Sequence, residues 1–137
     1  MSPYKEYSII MLSILFKSVL DHDRASVVIC NPEHTILYMN PAAIRNYAKY
    51  GGAELQGQSL LSCHNPHSGE VIRKVTEWFR ENPANNMIYT FRNEKENKDV
   101  YMVALRDDAG KFIGYYEKHE YRNIETAEVY DFSRSLI

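Results

Sequence analysis

The dipeptide Asn-Pro occurs four times in this chain, and it limits where helices and strands can lie. The four copies are residues 31–32, 40–41, 65–66 and 82–83. Asn is a good N-terminal cap and Pro suits the first helical position, whereas Pro inside a strand removes a hydrogen-bond donor. Each copy therefore indicates a turn or a helix start, and the regular elements must lie between the copies.

The spacing of apolar and β-branched residues between these dipeptides predicts an α+β fold. In the longest helical pattern, residues 66–80, apolar side chains recur at three- and four-residue intervals on one face. Short runs such as SVVIC and TILYM are typical of strands, and short turns between runs favour antiparallel pairing in one sheet. The predicted elements are helix 4–20, strands 26–30 and 35–39, helix 41–49, helix 66–80, strands 87–92, 100–106 and 112–119, and a helix within 122–137.

Length, charge and cysteine content narrow the class of protein. The 137 residues, 45% hydrophobic and 25% charged, suit a single globular domain. A formal net charge of −2 gives no overall attraction to nucleic acid or to an anionic membrane. The longest apolar run, residues 9–16, is too short to cross a bilayer, and two cysteines are too few for a disulfide framework. We therefore expect a cytoplasmic protein with no nucleic-acid or membrane partner.

Three stretches, taken in their order along the chain, resemble the PAS domain. ILYMNPAA contains the pattern I-x-x-x-N-x-x-A that leads into the first PAS helix, and ELQGQSLL resembles the L-x-G-x-x-L link after it. RDDAGKFIG resembles the closing hairpin, R-D-x-x-G-x-x-I-G. The matching residues are Ile36, Asn40, Ala43, Arg106, Asp107, Gly110, Ile113 and Gly114.

The resemblance implies a particular sheet and a ligand pocket. A PAS fold would give residues 25–122 a five-stranded antiparallel sheet in spatial order 2-1-5-4-3, with inserted helices on one face and a pocket between sheet and helices. Residues 1–24 would form an N-terminal amphipathic dimerisation helix, and residues 123–137 a C-terminal helix or tail. PAS domains sense ligands, cofactors or light, and the fold alone does not say which.

A narrower likeness lies in SCHNPHSGEVIRKVTEWF, residues 62–79. It resembles the C-H-P-P-x-S stretch and long helix of the PAS module that is attached to bacterial hemerythrin-like domains. Asn65 departs from that pattern, and any function that needs the hemerythrin-like neighbour does not carry over. The matching residues are Cys63, His64, Pro66 and Ser68.

Four interpretations of residues 63–67 stay open. The simplest is a helix start, in which Asn65 or Ser68 supplies the N-terminal cap. The second is haem ligation by one of the two histidines or the cysteine, since imidazole and thiolate are common ligands of haem iron. The others are a structural zinc site and a Cys–His nucleophilic pair, but no second pair of zinc ligands and no orienting acid is visible. We expect no enzymatic activity.

We expect a sensory or regulatory module that binds a small molecule or haem in the sheet–helix pocket and signals to a partner protein. The site would lie between the long helix and strands 3 to 5. The strand tyrosines also have an interpretation as cross-strand packing, and His119 one as a partly exposed sheet residue. The alternative function is a ligand-free PAS interaction or dimerisation module whose core is filled by its own aromatic residues. The expected site residues are His64, His67, Cys63, Ile72, Tyr89, Tyr101 and Tyr115.

The N-terminal helix predicts a homodimer. Residues 9–16 are apolar nearly all round the helix, which is wider than the arc of about 100° that one buried face needs. One side would pack on the outer face of the chain's own sheet, and the other on the same helix of a second copy. In the alternative, a single chain buries both sides under its tyrosine-rich C-terminal segment. The apolar stripe is Ile9, Leu12, Phe16 and Val19, flanked by Ile10, Met11 and Leu15.

Overall fold

Helices and strands follow the predicted order in the structure, a computed structural model that describes residues 7–133. The helices are α1 (Ile9–Asp21), α2 (Pro41–Asn46) and α3 (Pro66–Glu81). The strands are β1 (Val28–Cys30), β2 (Ile36–Met39), β3 (Met87–Asn93), β4 (Lys98–Arg106) and β5 (Phe112–Tyr121). Between α2 and α3 lie three 3-10 turns, Ala48–Tyr50, Gly52–Leu55 and Leu60–Cys63.

The five strands form one antiparallel sheet in the order β2-β1-β5-β4-β3. The central strand is β5, because Tyr115 pairs with Cys30 of β1 on one side and with Ala104 of β4 on the other. The last strand in the chain, β5, therefore joins the first hairpin to the second half of the sheet. The predicted α+β class and the implied strand order are both confirmed.

All four Asn-Pro pairs lie at turns or helix starts. The side chains of Asn40 and Asn65 each accept a hydrogen bond from the backbone N–H three residues on, at 2.9 and 2.8 Å, and so cap α2 and α3. The Asn31 side chain accepts from two N–H groups of the β1–β2 turn. The Asn82 side chain does the same for one N–H just after α3. The dipeptide thus marks the boundaries that the sequence indicated.

Helices α2 and α3 cover one face of the sheet, and the core lies between them and the strands. Phe79 of α3, Met102 of β4 and Tyr115 of β5 are each at most 1% exposed. The rings of Phe79 and Phe112 pack with centroids 5.6 Å apart. Burying a side chain such as Phe or Met contributes about 1.5–3 kcal/mol. This layer therefore fixes α3 against the inner face of the sheet.

The N-terminal helix does not lie on the outer face of the sheet, which corrects the sequence expectation. No residue of α1 is buried, and Leu12 and Leu20 are its only half-buried apolar residues. The helix is attached at its C-terminal end, where Asn40 Nδ2 donates to the Leu20 carbonyl at 2.9 Å. Ion pairs such as Arg122–Glu120 occupy the outer face of the sheet, so that face offers little apolar area for the helix to cover. Residues 4–6 of the predicted helix lie outside the described residues.

The C-terminal segment is not helical as far as the structure describes it. Residues 122–133 contain no helix, so the predicted helix is wrong over that range, and residues 134–137 lie outside the described part. Ile124, Val129 and Phe132 are each 90% exposed. A short helix is marginal in water unless an apolar face packs against something, and these side chains have no such surface. Nor does this segment bury both sides of α1, which excludes that alternative for residues 7–133.

Candidate functional site

A pocket opens between α3 and the inner face of β3, β4 and β5, beside the core. Its volume is about 510 Å³, within the range of about 300–1,000 Å³ that small-molecule sites occupy. Apolar side chains from α3 and the strands share its wall with polar and charged ones. The lining residues are Asn46, His64, His67, Ser68, Val71, Ile72, Thr90, Phe91, Asn93, Glu96, Lys98, Val100, Glu117 and His119.

Three of the seven expected site residues line this pocket: His64, His67 and Ile72. Cys63 is beside the pocket but belongs to the underlying core, and its thiol lies 3.2 Å from the Leu60 carbonyl. Tyr115 points into the core as well, and its hydroxyl lies 2.7 Å from Nδ1 of His34. We expected Cys63 and Tyr115 to line the pocket, but both side chains pack in or against the core instead.

Tyr89 and Tyr101 lie on the opposite face of the sheet, which corrects the expectation that they line the pocket. The hydroxyl of Tyr89 donates to Asp99 at 2.6 Å, and that of Tyr101 accepts from Arg122 at 2.9 Å. Side chains alternate between the faces of a strand, so Tyr101 faces outward where the buried Met102 faces inward. The two tyrosines are a directly paired cross-strand contact with ring centroids 5.3 Å apart. The interpretation as cross-strand packing is confirmed for them.

The structure adds four charged or titratable residues that the sequence did not assign to the site. Lys98, Glu117 and His119 line the pocket from β4 and β5, and Glu96 lines it from the β3–β4 turn. The side chain of Lys98 is 5% exposed and its Nζ lies 3.1 Å from Glu96. The side chain of His119 is 8% exposed, and its Nδ1 is buried with no hydrogen-bond partner among the described residues. The alternation of Tyr115, Glu117 and His119 along β5 was the available signal, once Tyr115 is known to face inward.

Residues 63–67 begin a helix, as the simplest interpretation of that stretch holds. The cap is Asn65, and Pro66 stands at the first position of α3. Burial raises the pKa of the Cys63 thiol, which is the opposite of what a nucleophilic cysteine needs. Within residues 7–133, no group of three or more His, Cys, Asp or Glu side chains is placed to hold a metal ion. The zinc and nucleophile interpretations therefore have no support here.

Comparison with known families decides what kind of domain this is. A family model described as a PAS domain matches residues 24–117, more than half of the chain. The chain belongs to the PAS domain family. The match runs from just before β1 into β5 and so includes most of the pocket. No curated protein matches the sequence at a significant level.

Solved structures resemble this PAS domain at low sequence identity. A C-terminal domain from Streptococcus mutans has a TM-score of 0.62 at 23% identity, covering 79% of this chain and 83% of that one. The PAS domain of Bordetella pertussis BvgS has 0.60 at 10%, with 82% and 88% covered. The Aer2 receptor from Vibrio cholerae, described as a dual PAS-heme oxygen sensor, has 0.51 at 18%, with 69% and 90% covered. These likenesses show the fold, and the ligand has to be argued from residues.

His64 of this PAS domain lines the pocket and is held in one orientation. Its Nδ1 lies 2.9 Å from the Leu60 carbonyl, and its ring packs 6.3 Å from that of Tyr47. A carbonyl oxygen only accepts, so Nδ1 carries the hydrogen and Nε2 is the nitrogen left to bind. A backbone carbonyl on the far ring nitrogen is also the usual support of a histidine that ligates a metal.

In the part of the chain that the structure describes, no helix is long and apolar enough to span a membrane.

Proposed function

We propose that this chain is a sensory or regulatory PAS module, without enzymatic activity, that binds a small molecule in the sheet–helix pocket and passes the bound state to a partner protein. The observation that carries the proposal is the cavity of about 510 Å³ beside an otherwise filled core. Clefts of this size, with a few polar groups on a mainly apolar wall, are typical of small-molecule sites, and a module that works only by protein contact has no need of one. The proposed location is cytoplasmic, and we expect neither nucleic acid nor a membrane as partner.

Native mass spectrometry of the purified chain tests this function. We expect a retained small molecule, and we expect Ser68→Trp to abolish its retention because the indole fills the cavity from the first turn of α3. Retention that is equal in both proteins, or absent from both, contradicts the proposal. A matched control is Arg73→Trp, which places the same side chain on an exposed position of the same helix.

Haem is one form that this ligand could take, and His64 is the residue that would hold its iron. Haem iron is commonly ligated by an imidazole, and the Nδ1 bond of His64 leaves Nε2 available. The protein should then show a Soret absorption band that His64→Ala removes. His67→Ala is the matched control, since His67 is exposed and its ring makes no hydrogen bond to any residue from 7 to 133. Colourless protein that gains no band when haem is added rules this form out.

The second candidate function is a ligand-free interaction module that dimerises through α1, and the exposure of that helix favours it. Ile9, Phe16 and Val19 are 62–84% exposed, although a soluble helix normally buries its apolar residues. We propose that a second copy of α1 covers them across a twofold axis. In sedimentation, Phe16→Glu should give a monomer, while the native chain and Ser18→Glu, on the opposite face of the helix, remain dimers. A native chain that stays monomeric at high concentration ends this idea.

We also propose a division of the chain into three segments, which follows from the sequence. Residues 1–24 form the dimerisation segment, residues 25–122 the PAS core and residues 123–137 a tail. The likeness of residues 63–68 to the PAS module of hemerythrin-like proteins suggests that its nearest relatives lie there. A set of related sequences that share Cys63, His64 and Ser68 supports this assignment, whereas relatives that lack all three contradict it.

A further inference from the structure

The charges that line the pocket are balanced at one end and unbalanced at the other. Lys98 Nζ and Glu96 Oε2, 3.1 Å apart, form a matched pair. The only ion-pair contact of Glu117 within residues 7–133 is with Nε2 of His119 at 3.6 Å, which is longer than a hydrogen bond. Glu117 pairs in register with Met102, four residues along β4 from Lys98, so the backbone positions of the two charged residues are roughly 13 Å apart along the strand. The Glu117 end therefore has a carboxylate with no close cation.

His119 beside it is also incompletely paired. Its side chain is 8% exposed, and the Nδ1 atom is buried without a hydrogen-bond partner in the described part of the chain. Buried polar atoms without partners are rare in native structures, and an absent ligand or water is a common reason for them. Two neighbouring groups on β5 thus have unused hydrogen-bonding capacity at the same end of the pocket.

The negative charge of Glu117 acts across the pocket and not only at its own strand. Burial, and after it the charge of Glu117, raises the pKa of the Tyr47 hydroxyl near α2. The ring of that tyrosine packs against His64, which lines the opposite wall. The charge of Glu117 therefore reaches the side of the pocket that His64 lines. Between the two walls, Val71, Ile72 and Val100 provide an apolar surface.

We propose that the pocket takes a small organic cation, an apolar ring or chain that carries an ammonium or amidinium group. The N–H groups of the cation bond to Glu117, and its apolar part packs on Ile72 and Val100. Charge-assisted hydrogen bonds of this kind are about twice as strong as neutral ones, which makes Glu117 the residue that selects the ligand's charge. This inference rests on the proposed function, because it names the chemistry of the ligand for that same pocket.

Three probes that share a phenylethyl group and differ in the charge of the attached polar group test the inference: 2-phenylethylamine, 2-phenylethanol and 3-phenylpropionate. Their dissociation constants are measured by ligand-observed NMR titration against the full chain. We expect the amine to bind about tenfold more tightly than the alcohol, and the carboxylate to bind least. Glu117→Gln should remove the preference for the amine and leave the alcohol's affinity unchanged. The matched control is Glu120→Gln, which removes the same charge from the outer face of the same strand and should leave the preference intact.

A pocket-filling variant, Ser68→Trp, distinguishes a failure of the charge inference from a failure of the proposed function. If all three probes bind the native chain alike and lose binding in Ser68→Trp, the pocket binds ligands but the charge inference is wrong. Tightest binding of the carboxylate also overturns the inference. If no probe binds the native chain better than it binds Ser68→Trp, the inference and the proposed function both fail. An unchanged thermal melting temperature of Glu117→Gln shows that any lost preference is not caused by unfolding.

Discussion

Asn40 Oδ1 accepts a hydrogen bond of 2.9 Å from the backbone N–H of Val27, thirteen residues earlier in the chain. The same oxygen caps α2, and Nδ2 donates to the carbonyls of Leu20 and Ala25 at 2.9 Å each. The side chain is fully buried. One amide thus links the end of α1, the start of β1 and the first turn of α2, and all of its hydrogen-bonding groups are used.

Replacement of Asn40 should be costly even by a residue that caps helices well. We expect Asn40→Asp to lower the free energy of unfolding by about 2–4 kcal/mol, because a carboxylate oxygen would face two carbonyls that have lost their donor. The control is Asn65→Asp, since that cap is exposed and makes one bond, and we expect a change within about 0.5 kcal/mol. Urea unfolding measures both, and equal effects would show that Asn40 acts only as a cap.

Gly114 lies where β5 passes closest to β1, and no side chain fits there. A Cβ atom at this position would stand 2.6 Å from the Cys30 carbonyl oxygen, which is backbone and cannot rotate away. We expect Gly114→Ala to destabilise the fold by about 1–3 kcal/mol, as overpacking does. Gly69→Ala in α3 should instead stabilise it by about 0.5–1 kcal/mol, because its Cβ would only touch Leu61 at 3.8 Å. Thermal melts that shift in the same direction would contradict this account.

Arg106 ties the end of α3 to the last hairpin through its guanidinium group. Its Nη2 donates to the carbonyls of Phe79, Asn82 and Asn85 at 2.7, 3.2 and 3.0 Å. A lysine side chain ends in a single nitrogen and lacks the planar guanidinium group with its several N–H donors. We therefore expect Arg106→Lys to lower the free energy of unfolding in urea by about 1.5–3 kcal/mol. Arg80→Lys is the comparison. In the described part of the chain Arg80 donates to one backbone carbonyl, that of Pro32 at 3.1 Å, so this substitution should cost much less. Equal losses of unfolding free energy in the two variants would mean that the guanidinium geometry of Arg106 is unimportant.

His34 should make stability depend on pH between about 7 and 5. Burial, then the nearby Arg80 and Arg73 charges, lowers its pKa below the ordinary value of 6.5, while Nδ1 contacts the Tyr115 hydroxyl. Below pH 6.5 the unfolded chain binds this proton more readily than the folded chain does. The free energy of unfolding therefore falls as the pH drops from 6.5 toward the lower, folded-state pKa, and this loss levels off below it.

The variant His34→Asn tests the pH effect without straining the turn. His34 has a φ angle of 73°, a region that Asn tolerates better than most residues. Urea midpoints of the native chain should decrease between pH 7 and 5, and those of the variant should decrease less. Parallel curves for the two proteins would show that His34 does not titrate differently in the folded state. Measurements above pH 5 avoid the protonation of carboxylates such as Asp99, whose pKa is lowered by hydrogen bonds from Tyr89 and Arg122.

The sequence by itself determined where helices α2 and α3 begin. Asn-Pro at residues 40–41 and 65–66 set the starts of α2 and α3, because capping and the φ of Pro are local properties. The resemblance at residues 36–43 and 106–114 implied the strand order that the structure has. His64, His67 and Ile72 could be placed near a pocket from the sequence, because they lie at or near the start of a helix that had to cover the sheet.

Only the tertiary structure decided which face of each strand lines that pocket. In β5 both sets of alternating residues hold a tyrosine and a charged side chain, Tyr115 with Glu117 and Tyr116 with Lys118, so periodicity could not choose between them. Packing under Phe79 turned Tyr115, Glu117 and His119 inward, and Tyr101 with Tyr89 outward. For α1, the apolar pattern indicated that the helix surface needs to be covered, but it did not indicate which other surface covers it. Burial depends on which surfaces remain free once the chain has folded, and that is a property of the whole molecule and not of any one segment.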